Sequence, residues 1–231
     1  MKRALVLMMA LWAAAAWAQP AGAAAGLGTV NFQTTCRPDV QGNFNHAVAL
    51  LHSFEYDESR DTFLAVAKAD PHCAMAYWGA AMTEFHALWG EIDVAAGHKF
   101  AAQAQAAADA DPQTSPREKQ FIQAVSAIYA DADVPLSARS KKFSDAMAEV
   151  HSANPGDDEA AIFYALSLDE SAGSDPASPN RQKCGDILEP LFEKMPNHPG
   201  VAHYLIHCYD NPVLAPKGVS AARAYAKIAP D

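Results

Sequence analysis

From Asn43 to Asp231 apolar residues return every three or four positions, and no stretch alternates β-branched apolar residues with polar ones. That period belongs to helices whose buried faces meet other helices. It predicts ten of them, over 44–54, 57–69, 73–85, 93–110, 115–130, 136–153, 157–170, 181–195, 200–210 and 216–228. Start signals support the assignment. In TSPRE, residues 114–118, Ser115 takes the N-cap, Pro116 the first helical position and Glu118 the third. The stretch SAGSDPASPN, residues 171–180, is the one internal linker. The last predicted helix carries Val219, Ala222, Tyr225, Ala226 and Ile228 and little polar surface. It either ends a stack poorly capped or packs back on the preceding hairpin.

The punctuation between helices repeats. ADP at 69–71, ADP at 110–112, ANP at 153–155, NHP at 197–199 and APD at 229–231 each close a helix, with prolines 41, 43, 44 and 31 residues apart. A recurring unit of this size is read as an array of helical hairpins. A single hairpin cannot bury its apolar face, so neighbours stack. The expected fold is all-α, over a domain spanning 44–231.

Residues 54–82, FEYDESRDTFLAVAKADPHCAMAYWGAAM, resemble the tetratricopeptide repeat. Tyr56, Phe63 and Pro71 fall at the family's aromatic, aromatic and closing-proline positions, and Ser59 at a small one. Trp78-Gly79 sits where the next repeat has a large residue followed by a small one. The small residue lets paired helices approach, and the aromatics fill the groove between them. The match is good over one and a half repeats and weaker beyond, where HALWGEID (86–93) lengthens the second repeat. LLHSFEY, HCAMAYWG and HYLIH are also similar to segments of an exported bacterial repeat group of undefined function. Members of that group continue further, so the resemblance leaves open that 44–231 is part of a longer array. It implies a right-handed α-solenoid with a concave groove that binds a protein, a peptide or a small ligand.

The N-terminus changes the picture of where the chain works. Lys2 and Arg3 precede the apolar run Ala4–Ala15, and Ala16-Trp17-Ala18 is an A-x-A cleavage pattern before Gln19. Residues 1–18 therefore read as a secretory signal peptide, too short in its apolar run for a membrane span. Residues 19–43, small and loose around AGAAAGLGT, read as a flexible leader. The expected location is periplasmic or secreted, in a bacterium, with no membrane insertion after cleavage. Formal charge is −10; without Lys2 and Arg3 it is −12, 15 basic against 27 acidic residues. That excess argues against nucleic acid and anionic membrane as partners.

Four cysteines in an exported chain point to disulfides, with three possible pairings. In a hairpin array, helices 181–195 and 200–210 fold back about a turn near Asn197. Cys184 lies 13 residues before that point and Cys208 lies 11 after, so they meet at the hairpin's open end. Cys36 precedes the first helix of one repeat and Cys73 starts the first helix of the next. In tetratricopeptide arrays such helices run parallel, which places these two at the same end. The expected pairs are Cys36–Cys73 and Cys184–Cys208; the alternative is buried thiols. Without a C-x-x-C, a redox-active dithiol is not expected.

His203 and His207 stand four apart with Asp210 three further on, all on one helical face. Two imidazoles at that spacing can hold one zinc or copper ion, with Asp210 as third ligand or orienting group and His198 near enough to join. The same pattern serves equally as a satisfied polar seam. No glutamate follows the first histidine in the H-E-x-x-H sense, so no zinc-protease site is present. Asp157-Asp158-Glu159 opens a helix, where the dipole favours negative charge. Phosphate loop, nucleophile elbow and haem-attachment motifs are absent from the sequence, and no catalytic residue is assigned.

The expected function is thus recognition or scaffolding in the cell envelope, without a cofactor. Groove candidates are His52, Thr83 and Glu84, with His86 and Trp89 from the inserted connection. The alternative is a metal-binding protein or metal-dependent hydrolase built on His203 and His207.

Overall fold

A computed structural model describes residues 26–230. The proposed signal peptide and the first part of the proposed leader lie outside the described residues. Ten α-helices follow in order among the described residues: α1 (Gln41–His52), α2 (Tyr56–Ala69), α3 (Ala74–Met82), α4 (Val94–Ala110), α5 (Pro116–Tyr129), α6 (Leu136–Ala153), α7 (Asp158–Ser171), α8 (Pro179–Lys194), α9 (Pro199–Cys208) and α10 (Ala215–Ile228). The all-α expectation holds. The capping box is formed as the sequence suggests: Ser115 accepts from the Glu118 backbone, and the Glu118 side chain reaches back to Ser115.

Helix α3 stops three residues earlier than its apolar run predicts. The chain turns instead into a short antiparallel ribbon, β1 (Phe85–His86) against β2 (Glu91–Ile92), bridged by a 3-10 turn at Ala87–Trp89. Gly90 closes that turn with φ +76°, a conformation that a side chain resists.

Consecutive helices pack on each other throughout, and α10 folds back on α9. The odd helices also meet one another: α1 touches α3 and α9, α3 touches α5, and α7 touches α9. Phe121 of α5 and Phe163 of α7 complete the circuit, their rings 6.2 Å apart. The odd helices therefore form an inner layer, buried nearly all round in α3 and α7. The even helices form an outer layer, each burying one face.

Among the described residues α1 and α9 meet and the interior is filled, so the expected open concave surface does not form there. The filler comes from the segment expected to be a flexible leader, and that expectation is corrected from residue 26 onward. Phe32 is completely buried. Its ring lies 5.6 Å from Phe44, 5.4 Å from Trp78, 5.2 Å from Phe121 and 6.3 Å from Phe163. An irregular segment buried inside a helical protein must find partners for its backbone. Phe32 N–H donates to Asn45 Oδ1 at 3.2 Å, and Gln41 Nε2 donates to the Phe32 carbonyl at 2.8 Å. Thr35 donates through both its backbone N–H and its hydroxyl to the carboxylate of Glu118. Glu118 thus serves a helix cap and anchors this segment at once.

Two disulfides fasten the layers. Cys36–Cys73 ties the inserted segment to the start of α3, with Cα atoms 4.7 Å apart, and Cys184–Cys208 joins α8 to α9 at 5.8 Å. Both pairings are those expected. They indicate an oxidising, extracytoplasmic environment. Among the described residues no helix is long and apolar enough to cross a membrane.

Candidate functional site

Three acidic residues open α7, and the fold sends them three ways. Asp157 caps the helix through Ala160 N–H and pairs with Arg117. Asp158 pairs with Lys194 at the surface, at 2.7 Å. Glu159 turns inward and is buried. There it meets His52, the last residue of α1, and His198, the N-cap of α9, both also buried. Gly200 makes room for this meeting: a Cβ there would stand 2.6 Å from His52 Nδ1.

The hydrogen bonds form one chain. Tyr204 Oη lies 2.8 Å from His52 Nδ1, and His52 Nε2 lies 3.2 Å from Glu159 Oε2. Glu159 Oε1 lies 3.1 Å from His198 Nε2, and His198 Nδ1 accepts from Val201 N–H at 3.4 Å. The partners assign the protons. His198 must carry its hydrogen on Nε2, because Nδ1 is an acceptor. With the tyrosine donating to His52 Nδ1, His52 likewise donates from Nε2. Glu159 accepts from both, and these two bonds outweigh burial and hold its carboxyl well below the usual range. Burial depresses His52, so it stays neutral. The result is a buried carboxylate that accepts an imidazole N–H on each oxygen.

A cavity of about 300 Å³ reaches this cluster from the surface. Its lining includes Thr29, Asn31, Asn197, His198 and Glu159. Glu159 and His198 therefore border the cavity, while His52 lies behind them in the core.

A second constellation covers the outside of the same region. Phe54 touches both α9 histidines, its ring 4.4 Å from His203 and 5.4 Å from His207, and stands 4.9 Å from Trp89. Tyr56 stacks on His86 at 3.9 Å, and Tyr225 stacks on the His203 ring at 4.4 Å. Trp89 is 53% exposed over this layer.

The expected site residues divide accordingly. Trp89 meets His207, ring to ring at 6.3 Å, and His86 joins the same face through Tyr56. His52 does not line an open groove; it is in the core. Thr83 is buried and donates to the Ala80 carbonyl, closing α3. Glu84 is buried near Arg60, at 3.6 Å, and burial pushes its carboxyl up. Neither is available to a ligand.

His203 and His207 do meet, Nε2 to Nε2 at 3.3 Å, and His203 Nδ1 donates to the His52 carbonyl. Asp210 is exposed just beyond α9. Among the described residues no third imidazole, thiol or carboxylate joins the pair into a compact donor set, so the His203–His207–Asp210 triad is corrected. The compact set is His52, Glu159 and His198, whose donor atoms all lie within 4.8 Å of one another. Glu159 escapes sequence reasoning because its neighbours Asp157 and Asp158 look the same. His198 carries a weak signal, as a histidine at a helix start close to His203.

No family model, curated protein or solved structure matches this chain.

Proposed function

We propose that this is an exported recognition module of the bacterial cell envelope, built from tetratricopeptide-like hairpins wound as a tight right-handed array. Two local contacts support the repeat reading. Ser59 Oγ donates to the Ala47 carbonyl at 2.9 Å, drawing α2 onto α1. Gly79 gives Phe63 its place between helices: a Cβ there would stand 2.3 Å from the ring.

With the interior filled, recognition moves to the outer aromatic face. The observation that carries this reading is Trp89, a large aromatic left more than half exposed on a short two-strand ribbon and backed by Phe54 and Tyr56. Such anchors dominate protein interfaces. Glu55 and Glu91 are exposed beside it. The face therefore suits a peptide segment carrying an aromatic and a basic side chain, the cation resting on the indole.

Peptide display against tag-free protein tests this, followed by fluorescence titration. Outside residues 1–18 the chain has two tryptophans, and Trp78 is buried, so Trp89 reports binding. Selected aromatic–basic peptides are expected to shift its emission, and Trp89→Ala to weaken binding by about tenfold or more with unchanged melting. Peptides that bind the variant equally well, or no enrichment at all, would count against the face.

A further inference from the structure

We propose that His52, Glu159 and His198 form a binding site for one divalent transition-metal ion of the zinc class. The site is separate from the Trp89 face and does not depend on its role.

Four observations point there. The donor set is two imidazole nitrogens and a carboxylate, which suits zinc and its neighbours rather than calcium or magnesium. The donors come from three elements, the end of α1, the first turn of α7 and the cap of α9, so the packed core holds them in place. The separations already approach those of ligands on one ion: 3.2 Å and 3.1 Å from Glu159 to the two Nε2 atoms, and all donors within 4.8 Å. Zinc bonds to nitrogen and oxygen run ~2.0–2.2 Å, so two ligands on one tetrahedral ion stand roughly 3–3.5 Å apart. Finally, the cavity bordered by Glu159 and His198 supplies an entry path and room for a water at a fourth position.

The protons balance without a co-reactant. Ligation takes the lone pair of each Nε2, so each ring keeps one hydrogen by moving it to Nδ1. On His52 that N–H then donates to Tyr204, whose hydroxyl turns from donor to acceptor. A carboxylate, carbonyl or hydroxyl behind a ligating histidine is the usual orienting arrangement. On His198 the new N–H displaces the contact with Val201 N–H, which at 3.4 Å is the longest in the chain. Glu159 is already ionised and gives up two N–H donors for the cation.

His203 and His207 are the competing site, and the experiment separates them. Tag-free protein is stripped with a chelator, checked for residual metal, and titrated with zinc by calorimetry. One equivalent is expected, with a rise in melting temperature. Glu159→Gln, which keeps the shape and one acceptor, is expected to weaken zinc by on the order of 100-fold. His207→Ala is expected to bind as the parent does. Nitrogen NMR of the parent's histidines needs no variant: zinc should convert two buried rings from the Nε2–H to the Nδ1–H form. Absence of stoichiometric binding by the parent overturns the proposal. So does zinc that is lost in His207→Ala and kept in Glu159→Gln, or zinc that leaves the two buried tautomers unchanged.

Discussion

Asp169 and Glu159 are both buried carboxylates in α7, and their surroundings drive them in opposite directions. Glu159 receives an N–H on each oxygen and stays ionised. Asp169 receives Arg181 on one oxygen, at 2.7 Å, and its other oxygen is buried with no partner among the described residues. Burial outweighs the guanidinium and raises Asp169 to about 6. The unfolded chain ionises this group near 3.9. Between those values the unfolded state has lost the proton and the folded state still holds it, so stability falls as pH rises. Parent stability relative to Asp169→Asn should therefore decline from about pH 4 to about pH 6 and level off above. Chemical denaturation across that range checks it, and a difference curve that rises with pH would contradict the assignment. None of this can be read from the residue types. The helix start at 157–159 is visible in the sequence, but which of three adjacent acids enters the core depends on where α1 and α9 end.

At the scale of elements, periodicity and caps locate the ten helices, because the outer ones bury a stripe with a regular period and the inner α3 and α7 are apolar nearly all round. Ser115, Pro116 and Glu118 mark one start by chemistry that needs no tertiary partner. The segment before α1 carries no such signal. Apart from Leu27, Val30 and Val40 its residues are small or polar, and Phe32, its one aromatic, has no helical period around it. Phe32 is buried because Phe44, Trp78, Phe121 and Phe163, distant in sequence, leave a space of its size. Phe32→Ala should accordingly cost about 3–5 kcal/mol, the range for emptying an aromatic site in a packed core. Urea unfolding measures this; a loss below about 1 kcal/mol would mean that the segment is not the centre of the core.

For the whole molecule, the two disulfides close stretches of 37 and 24 residues in sequence. Each is expected to contribute about 2–4 kcal/mol by limiting the unfolded chain. Reductant should lower the melting temperature in two separable parts, one removed by Cys36→Ser with Cys73→Ser and the other by Cys184→Ser with Cys208→Ser. A melting curve indifferent to reductant would speak against both bridges. Cys184–Cys208 was legible from the hairpin that α8 and α9 form, whereas Cys36–Cys73 was expected from the resemblance to tetratricopeptide arrays, whose successive first helices run parallel.

What the amino-acid sequence determined by itself is therefore local: a helical period, its starts and stops, and the Cys184–Cys208 pair that neighbouring helices place together. These follow from short-range sterics and hydrogen bonding, which are written within a few residues. The tertiary structure decided that α1 meets α9, that Phe32 fills the interior, and that His52, Glu159 and His198 share one buried point. Residues more than a hundred positions apart converge only when the layers close, and burial then sets the charge that each of them carries.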